Sequence, residues 1–210
     1  SSGMIGRALV KRLAAKGNDV VGCNSSNCNV LDPSALKKAF SGVEAVVHLA
    51  AQVDEDAKDL WEVNVKGTEN CLEAAEQNNV SQFIYLSTVG VYGSTPGMKD
   101  EDTTPHPETG YERSKAEAEK KVLGYQEVFH VTILRPALVV GNNEYWNGII
   151  RTVKKGFPLI GSGRNRFQLV CLEDVVEAVR FCIGREECYG ETFLVAEDAA
   201  GAMTLEGIVN

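Results

Sequence analysis

The stretch Ala45-Val46-Val47-His48-Leu49-Ala50 is apolar apart from its histidine and shows no alternation of polar and apolar side chains. Strands of a parallel sheet that is covered on both faces have this pattern. The runs at 82–87 (QFIYLS) and 131–135 (VTILR) repeat it, and segments with helical spacing separate the three runs. Alternating strands and helices predict an α/β fold in which helices cover both faces of a parallel sheet.

The remaining periodicity predicts the other elements of this fold. Helices are expected over 4–16, about 34–40, about 60–78, about 111–125, 147–155, and from Glu173 or Asp174 to about Ile183. Further strands are expected over 19–23, 158–163 and 169–172, and a surface loop over 93–109. Ser34 and Asp174 are the expected N-caps of their helices.

The composition argues against several functional classes. The chain has 210 residues, of which 44% are hydrophobic and 24% charged, with a formal charge of −8 and a pI near 5.0. This charge argues against a nucleic-acid surface and a polybasic membrane patch, and no apolar run approaches the roughly 20 residues of a membrane span. The six cysteines form no CxxC pair, so we expect reduced thiols in a cytoplasmic protein and no metal site.

A glycine-containing segment opens the chain. Ser1-Ser2-Gly3-Met4-Ile5-Gly6 fits the last six places of GxxGxxG, so the first glycine and the strand before it are expected to precede this sequence. Gly3 would let the backbone approach a pyrophosphate, and Gly6 would let the helix pack closely on the sheet. The helix N-terminus would offer its N–H groups to the phosphates. Taken alone, the segment fits an ordinary helix start equally well.

Asn24 bears on the choice of cofactor. It stands about twenty residues after this segment, where an acidic residue often bonds the 2′-hydroxyl of the NAD ribose. An asparagine still bonds that hydroxyl and does not repel a 2′-phosphate. No Lys or Arg adjoins Asn24, although Arg7 lies in the first turn of the helix. The choice between NAD and NADP stays open, with a lean towards NADP.

The segment Tyr111-Glu112-Arg113-Ser114-Lys115 has the YxxxK spacing, which places Tyr111 and Lys115 one helical turn apart on the same face. A lysine ammonium near a phenol favours the phenolate, so we expect the pKa of Tyr111 below its ordinary value of about 10. Such a phenolate can accept the proton of a substrate hydroxyl while hydride leaves the carbon for a nicotinamide. On its own, the spacing also occurs by chance on surface helices.

Several segments occur together in an order that characterises one enzyme family. They are SSGMIG (1–6), NVLD (29–32), HLAA (48–51), NVKGT (64–68), LSTVGVYG (86–93), YERSK (111–115) and LRPALVVG (134–141). Over nearly the whole chain they resemble the extended short-chain dehydrogenase/reductase family, also called the NAD-dependent epimerase/dehydratase family. The resemblance implies a Rossmann-type doubly wound parallel sheet that binds NAD or NADP, with a small, truncated substrate-binding annex.

The resemblance also implies roles for individual residues. Thr88 matches the residue that bonds the substrate oxygen, Tyr111 the general acid/base, and Lys115 the residue that tunes it and bonds the nicotinamide ribose. Further positions match residues along the dinucleotide: Asn29 and Val30 at the adenine, Leu49, Ala50 and Ala51 along its length, Leu86 and Ser87 beneath the nicotinamide, and Pro136 and Val139 at its carboxamide. Asn29 departs from the Asp that the family often has. Arg166, or Arg164, would bind a phosphate of the substrate, although a solvated loop arginine fits either position equally well.

The same resemblance divides the chain into regions. The dinucleotide-binding domain is expected over 1–140, without its first strand, and 169–184 form a strand and helix that return to it. Residues 141–168 and 185–210 are expected in the substrate-binding region. Other polar positions have structural interpretations: His48 as a buried strand residue, Ser87 as a strand end, Asn64 as a buttress of the sheet, and the acidic runs 54–56 and 100–102 as solvated loops. For Ser87 and Asn64, functional roles remain open as alternatives.

Three functions are compatible with the sequence. The first is an NAD(P)-dependent epimerase or dehydratase that acts on a nucleotide sugar by transient hydride transfer. The second is a reductase or dehydrogenase of a sterol-, flavonoid- or sugar-type carbonyl, and the third is a non-catalytic dinucleotide-sensing protein. Intact Thr88, Tyr111 and Lys115 argue against the third. The expected partners are a small-molecule substrate and a second copy in a homodimer, without nucleic acid or membrane.

Overall fold

A four-stranded parallel sheet forms the centre of the molecule. The computed structural model describes residues 1–141, 146, 148, 151–152, 166–197 and 203–204. The strands of the sheet lie in the order β1 (Ala45–His48), β2 (Gln82–Leu86), β3 (His130–Pro136) and β7 (Thr192–Val195). Each neighbouring pair is parallel, so each connection must cross over one face of the sheet.

Two helices, α1 (Met4–Ala15) and α2 (Pro33–Ala39), precede β1 in the chain. The crossings contain α3 (Gly67–Gln77), which a π-helical turn (Glu62–Lys66) precedes, between β1 and β2, α4 (Gly110–Leu123) between β2 and β3, and α5 (Leu172–Cys182) between β3 and β7. Two short sheets lie beside the main one: β4 (Leu138–Val140) with β6 (Leu169–Cys171), and β5 (Arg166–Phe167) with β8 (Met203–Thr204). In the part of the chain that the structure describes, no helix is long and apolar enough to cross a membrane.

Both faces of the sheet are buried. Phe83 of β2 packs in one apolar cluster with Leu72 of α3. The next residue, Ile84, points to the opposite face and packs in a second cluster with Leu9 of α1 and Val179 of α5. This arrangement explains the apolar runs without alternation. The predicted Rossmann-type α/β fold, with helices on both faces of a parallel sheet, is confirmed.

Three local predictions are wrong. Residues 19–23 form no strand, because no segment among the described residues pairs with them in a ladder. The N-cap of α2 is Asp32 rather than Ser34: its Oδ1 accepts two N–H groups of the first turn at 3.0 Å, and Pro33 takes the first helical position. Helix α5 has Cys171 as its N-cap, and Asp174 lies in the first turn.

Some predicted elements fall on ranges with little or no description. Of the helix predicted at 147–155, only residues 148, 151 and 152 are described, and they are helical. The strand and turn at 158–163 and Arg164 lie outside the described residues. Strand β7 falls within 185–210, yet it joins the main sheet because the edge of β3 offers it a parallel ladder. The division of the chain into domains otherwise stays a prediction.

Candidate active site

The N-terminus of α1 suits an anion. Its N-cap is Gly3, no side chain caps it, and its first turn holds no acidic residue. A Cβ on Gly6 would lie 2.7 Å from the Cα of Ser1, so glycine is required for the two backbones to approach. Arg7 Nη1 donates to the Ser2 carbonyl at 2.6 Å and adds a cation beside this turn. The N–H groups of the helix start, the helix dipole and a guanidinium together fit a pyrophosphate.

The predicted adenosine positions lie in tight local structure. The Asn24 carbonyl accepts the N–H of Cys28 at 2.8 Å and closes a turn. Asn29 follows directly, and its Oδ1 accepts an N–H two residues further on at 3.0 Å. Val30 approaches α3 so closely that a Cβ on Gly67 would lie 2.6 Å from Val30 Cγ2. The backbone of Asn24, Asn29 and Val30 is therefore fixed by its own contacts.

The other predicted dinucleotide positions lie at strand ends. Leu49, Ala50 and Ala51 follow β1, Leu86 ends β2, Ser87 and Thr88 come next, and Pro136 ends β3. Carboxyl ends of parallel strands share one edge of the sheet, where open α/β folds bind ligands. The start of α1 lies near β4, since Met4 Sδ is 2.7 Å from the Cβ position of Gly141. Val139 lies in β4; Arg166 lies in β5, and its side chain is outside the described part.

Helix α4 carries Tyr111 and Lys115 and has a well-defined start. Thr109 Oγ1 accepts the Glu112 N–H at 3.2 Å, and Glu112 Oε2 accepts the Thr109 N–H at 2.9 Å. This reciprocal capping box satisfies two N–H groups that the helix itself leaves unpaired. Tyr111 and Lys115 consequently follow one turn apart, in the predicted arrangement.

Lys115 connects this helix to the end of β2. The residue is only 2% exposed. Its Nζ donates to the Leu86 carbonyl at 2.8 Å and lies 4.1 Å from the centroid of the Tyr85 ring. Because Leu86 stands two residues before Thr88, the bond brings the helix that bears Tyr111 to the strand end that bears Thr88.

The electrostatics of this pair differ from the prediction. Burial lowers the pKa of Lys115 to about 7, although the Glu119 carboxylate opposes the shift. Burial raises the pKa of Tyr111 to about 12, and the Glu55 carboxylate adds to that rise. The predicted lowering of the Tyr111 pKa is therefore wrong. Desolvation of the phenolate outweighs the attraction of an ammonium that is directed to Leu86.

Thr88 and Ser87 occupy the end of β2. Thr88 Oγ1 accepts the N–H of Gly90 at 3.1 Å and caps a short helical turn, Val89–Tyr92. Ser87 donates its N–H to the carbonyl of Leu134 at 2.7 Å, whereas its buried Oγ has no hydrogen-bond partner among the described residues. A buried hydroxyl without a partner costs free energy. It fits a site in which a bound dinucleotide supplies the missing bond.

A buried network supports α4. Asn64 is 1% exposed and lies in the π-helical turn. Its Oδ1 accepts the Gln52 N–H at 2.7 Å, and its Nδ2 donates to Ser114 Oγ at 2.9 Å. Ser114 Oγ in turn donates to the Tyr111 carbonyl at 2.7 Å. The structural interpretation of Asn64 is confirmed, and its link to Tyr111 was not predicted.

His48 lies beneath this network in β1. It is 4% exposed, and its Nε2 is 3.0 Å from Thr68 Oγ1. Burial lowers the pKa of His48 to about 3, and the nearby Lys115 adds to that fall. The ring is thus neutral at physiological pH, and the prediction of a buried strand residue is confirmed.

Glu55 contacts the same helix, although the sequence predicted a solvated acidic loop at 54–56. Both of its carboxylate oxygens lie 3.0 Å from the Tyr111 backbone nitrogen. The carboxylate is attracted to the free N–H groups and the partial positive charge of the helix start. Glu55 is exposed, as a solvated loop requires, but its contact with α4 was not predicted, because it joins residues 56 positions apart.

A second buried network anchors the loop over 93–109. Arg135 and Glu119, with side chains 7% and 4% exposed, form a bidentate ion pair at 3.0 and 2.7 Å. Arg135 Nη1 also donates to Tyr92 Oη at 2.6 Å. Glu101 accepts an N–H of β7 at 2.8 Å. The acidic run around Glu101 is exposed but attached to the sheet, so its prediction as a solvated loop is only half correct.

Gly93 begins that loop, and Gly93→Ala is expected to lower the free energy of unfolding by about 2–4 kcal/mol. Its φ is +61°, and a Cβ there would lie 2.3 Å from the His106 carbonyl oxygen. Gly97→Ala is the matched control, because Gly97 has a φ of +100° but nothing within 4 Å of its Cβ position. Urea titration measures the free energy of unfolding of both variants. Equal losses would contradict a contribution from the close contact.

Cysteines lie throughout the described structure as free thiols. Cys171 Sγ and carboxylate oxygens of Asp174 and Glu197 lie within 4.8 Å of one another. Cys171 and Asp174 are exposed, and exposed acidic groups meet in this way without any ion. We assign no metal to them, and the prediction that the protein has no metal site stays a prediction.

Comparison with curated proteins places the chain among known sequences. The model of the "NAD dependent epimerase/dehydratase family" matches residues 1–196. The UDP-glucose 4-epimerase of Vibrio cholerae is 28% identical over 225 residues, which cover 93% of this chain and 69% of that protein. Sterol demethylase protein B of Methylococcus capsulatus is 31% identical over 224 residues, which cover 93% of this chain and 67% of that protein. The chain spans about half the length of two further relatives, 49% of one and 52% of the other.

Solved structures share the fold. The dTDP-glucose 4,6-dehydratase of Streptomyces venezuelae, solved with NAD bound, matches with a TM-score of 0.85 at 22% identity, covering 99% of this chain and 76% of that one. At this identity, the likeness shows the fold alone. The family match, by contrast, extends over most of the chain. The chain therefore belongs to the NAD-dependent epimerase/dehydratase family of extended short-chain dehydrogenases/reductases.

Proposed function

We propose that this protein is an NAD(P)-dependent epimerase or dehydratase that acts on a nucleotide sugar by transient hydride transfer. One observation carries the proposal: the buried Lys115 Nζ bonds the Leu86 carbonyl at 2.8 Å. That bond gathers Tyr111, Lys115 and Thr88 at the edge of the sheet where the start of α1 offers its N–H groups. A proton acceptor and a phosphate site at one edge suit hydride chemistry on a dinucleotide.

Each of the three residues has a distinct task in this proposal. The Tyr111 phenolate accepts the proton of a substrate hydroxyl, and the phenol returns it when the carbonyl is reduced. Thr88 Oγ1 already accepts the Gly90 N–H, so its own proton is free to bond the substrate oxygen. Lys115 holds a ribose hydroxyl with the protons that Leu86 does not engage. A bound oxidised nicotinamide would supply the hydride acceptor and a positive charge that opposes the raised Tyr111 pKa.

The dinucleotide would be held along the edge of the sheet. The start of α1 takes the pyrophosphate, Asn24 the ribose, and the unpartnered Ser87 Oγ one polar group near the nicotinamide. The remaining contacts come from Ser2, Gly3, Met4, Ile5, Gly6, Asn29, Val30, Leu49, Ala50, Ala51, Leu86, Pro136 and Val139. Either NAD or NADP is accommodated, since Asn24 carries no charge that repels a 2′-phosphate.

Two of the compared proteins support a nucleotide sugar as the substrate: one is named as a UDP-glucose 4-epimerase, the other as a dTDP-glucose 4,6-dehydratase. Arg166 remains the proposed ligand of a substrate phosphate. A second candidate is a reductase of a sterol-type carbonyl, which the relative named sterol demethylase protein B favours. The homodimer and the cytoplasmic location stay predictions.

Incubation of the protein with UDP-glucose, dTDP-glucose and a sterol ketone, each with and without added NAD or NADP, tests the proposal. We expect conversion of a sugar nucleotide without net change in the absorbance of reduced nicotinamide, because the hydride returns to the sugar. Product identity is followed by chromatography. Stoichiometric loss or gain of reduced nicotinamide would instead support the second candidate. Dinucleotide binding without turnover of any substrate would contradict both.

A further inference from the structure

We infer that Glu55 is a positioning residue for Tyr111: its carboxylate fixes the first turn of α4 and places a negative charge beside the phenol. The inference rests on the proposed function of Tyr111 as the acid/base. It concerns a residue outside the predicted catalytic group, on the loop that follows β1. Glu55 acts through the helix and through its charge rather than by contact with substrate.

The geometry at the start of α4 is specific for this carboxylate. Its two oxygens lie 3.0 Å from the Tyr111 backbone nitrogen. A Cβ on Gly110 would lie 2.9 Å from Glu55 Oε2, so any other residue there would require the carboxylate to shift from this position. Hydrogen bonds from the Thr109 hydroxyl and from the N–H groups of Tyr111 and Gly110 lower the pKa of Glu55, and Arg113 adds to that fall. Glu55 is therefore ionised at neutral pH.

The backbone of Tyr111 is held on both sides. Glu55 accepts its N–H, and Ser114 Oγ donates to its carbonyl at 2.7 Å. Ser114 is bonded to Asn64, which also holds Gln52 at the beginning of the loop that bears Glu55. The loop and the first turn of α4 are thus joined at two places. This arrangement restricts movement of the phenol relative to the end of β2.

The Glu55 carboxylate affects the pKa of Tyr111. Burial raises the pKa of Tyr111, and Glu55 raises it further. Lys115 lies one turn further along the same helix, in contact with the ring of Tyr85 on β2, whose burial keeps its phenol neutral. The other charged groups here act on neighbours: Arg113 on Glu55, and Glu119 on Lys115; His48 on β1 is neutral. Removal of the Glu55 charge therefore favours the phenolate and lowers the pKa of Tyr111.

The test compares kcat as a function of pH in wild type, Glu55→Gln and Asp56→Asn. Asp56 is an exposed neighbour on the same loop, so its variant makes the same change of charge away from the helix start. For oxidation of the sugar hydroxyl, the phenolate is the active form. We expect the acidic limb of the pH profile of kcat to lie about half a pH unit lower in Glu55→Gln than in wild type. At a given pH on that limb, kcat is then roughly threefold higher. The limb of Asp56→Asn should coincide with that of wild type.

Two further measurements keep the outcomes distinct. Glu55→Ala removes the hydrogen-bond acceptor as well as the charge, and we expect a lower kcat than that of Glu55→Gln at every pH, because the first turn is less well fixed. Coincident limbs for wild type and Glu55→Gln would overturn the inference and leave the proposed function intact. If no sugar nucleotide is converted, the proposed function fails. In that case a spectroscopic pH titration tests the inference by itself. The part of the tyrosinate absorbance that is missing in Tyr111→Phe belongs to Tyr111, and it must appear at lower pH in Glu55→Gln than in wild type.

Discussion

The Tyr111→Phe variant is expected to lose about 10²- to 10⁴-fold in kcat, the usual contribution of a positioned general acid/base. Phenylalanine preserves the ring but has no proton to exchange with the substrate hydroxyl. The first turn of α4 should survive, because the Tyr111 N–H and carbonyl make their bonds through the backbone. Sugar conversion gives kcat, and a titration of dinucleotide fluorescence shows whether the cofactor site is preserved.

Tyr125→Phe is the matched control for this variant. Tyr125 lies just after the same helix, where its ring stacks on Phe129 at a centroid distance of 5.4 Å. Loss of that hydroxyl is expected to leave kcat near the wild-type value, since the stacking needs only the ring. Retained turnover in Tyr111→Phe would contradict the proposed mechanism, whichever substrate is used.

The Arg135→Met variant is expected to lose about 3–5 kcal/mol in the free energy of unfolding, the cost of leaving one buried charge without its partner. The Glu119 carboxylate is 4% exposed and bonded by Arg135 through both oxygens. The variant also removes a bond to Tyr92 Oη at 2.6 Å. Urea titration measures the loss, provided that both proteins unfold in one transition.

Two companion variants identify the cause of that loss. Arg135→Met combined with Glu119→Leu removes both charges, and we expect it to recover much of the stability, because apolar groups can replace a buried pair. Lys66→Met breaks a pair in which the lysine side chain is 54% exposed, and it is expected to cost no more than about 1 kcal/mol. If Arg135→Met costs as little as Lys66→Met, the buried pair does not hold the structure as described.

Much of the fold follows from local pattern. The runs at β1, β2 and β3 are apolar at successive positions because both faces of the sheet are covered. This pattern is recognisable in the sequence without knowledge of the structure. The YxxxK spacing likewise determines the relation of Tyr111 to Lys115 once a helix forms. By contrast, 19–23 has strand composition but no partner among the described residues, and pairing cannot be read from composition.

The contacts that surround the candidate site depend on distant residues. Glu55 and Tyr111 meet across 56 positions, and Asn64 and Ser114 across 50. A single sequence gives no signal for such pairs. The pKa of Tyr111 shows the same limit, because the spacing to Lys115 predicts a fall whereas burial determines a rise. Asp32 is a different case, because an acidic residue directly before a proline such as Pro33 is a recognisable N-cap signal in the sequence itself.

The packing of α1 on α5 has a consequence for biosynthesis. Arg12 and Glu177, which join these helices, are 165 residues apart, and a ribosome adds about 5–20 residues per second. About 8 to 30 seconds therefore pass between the emergence of α1 and that of its partner. Throughout this interval Leu9 and Leu13 lack the neighbours on α5 that complete their burial. The apolar face of α1 that later contacts α5 is thus exposed during synthesis, and slow translation would lengthen that exposure.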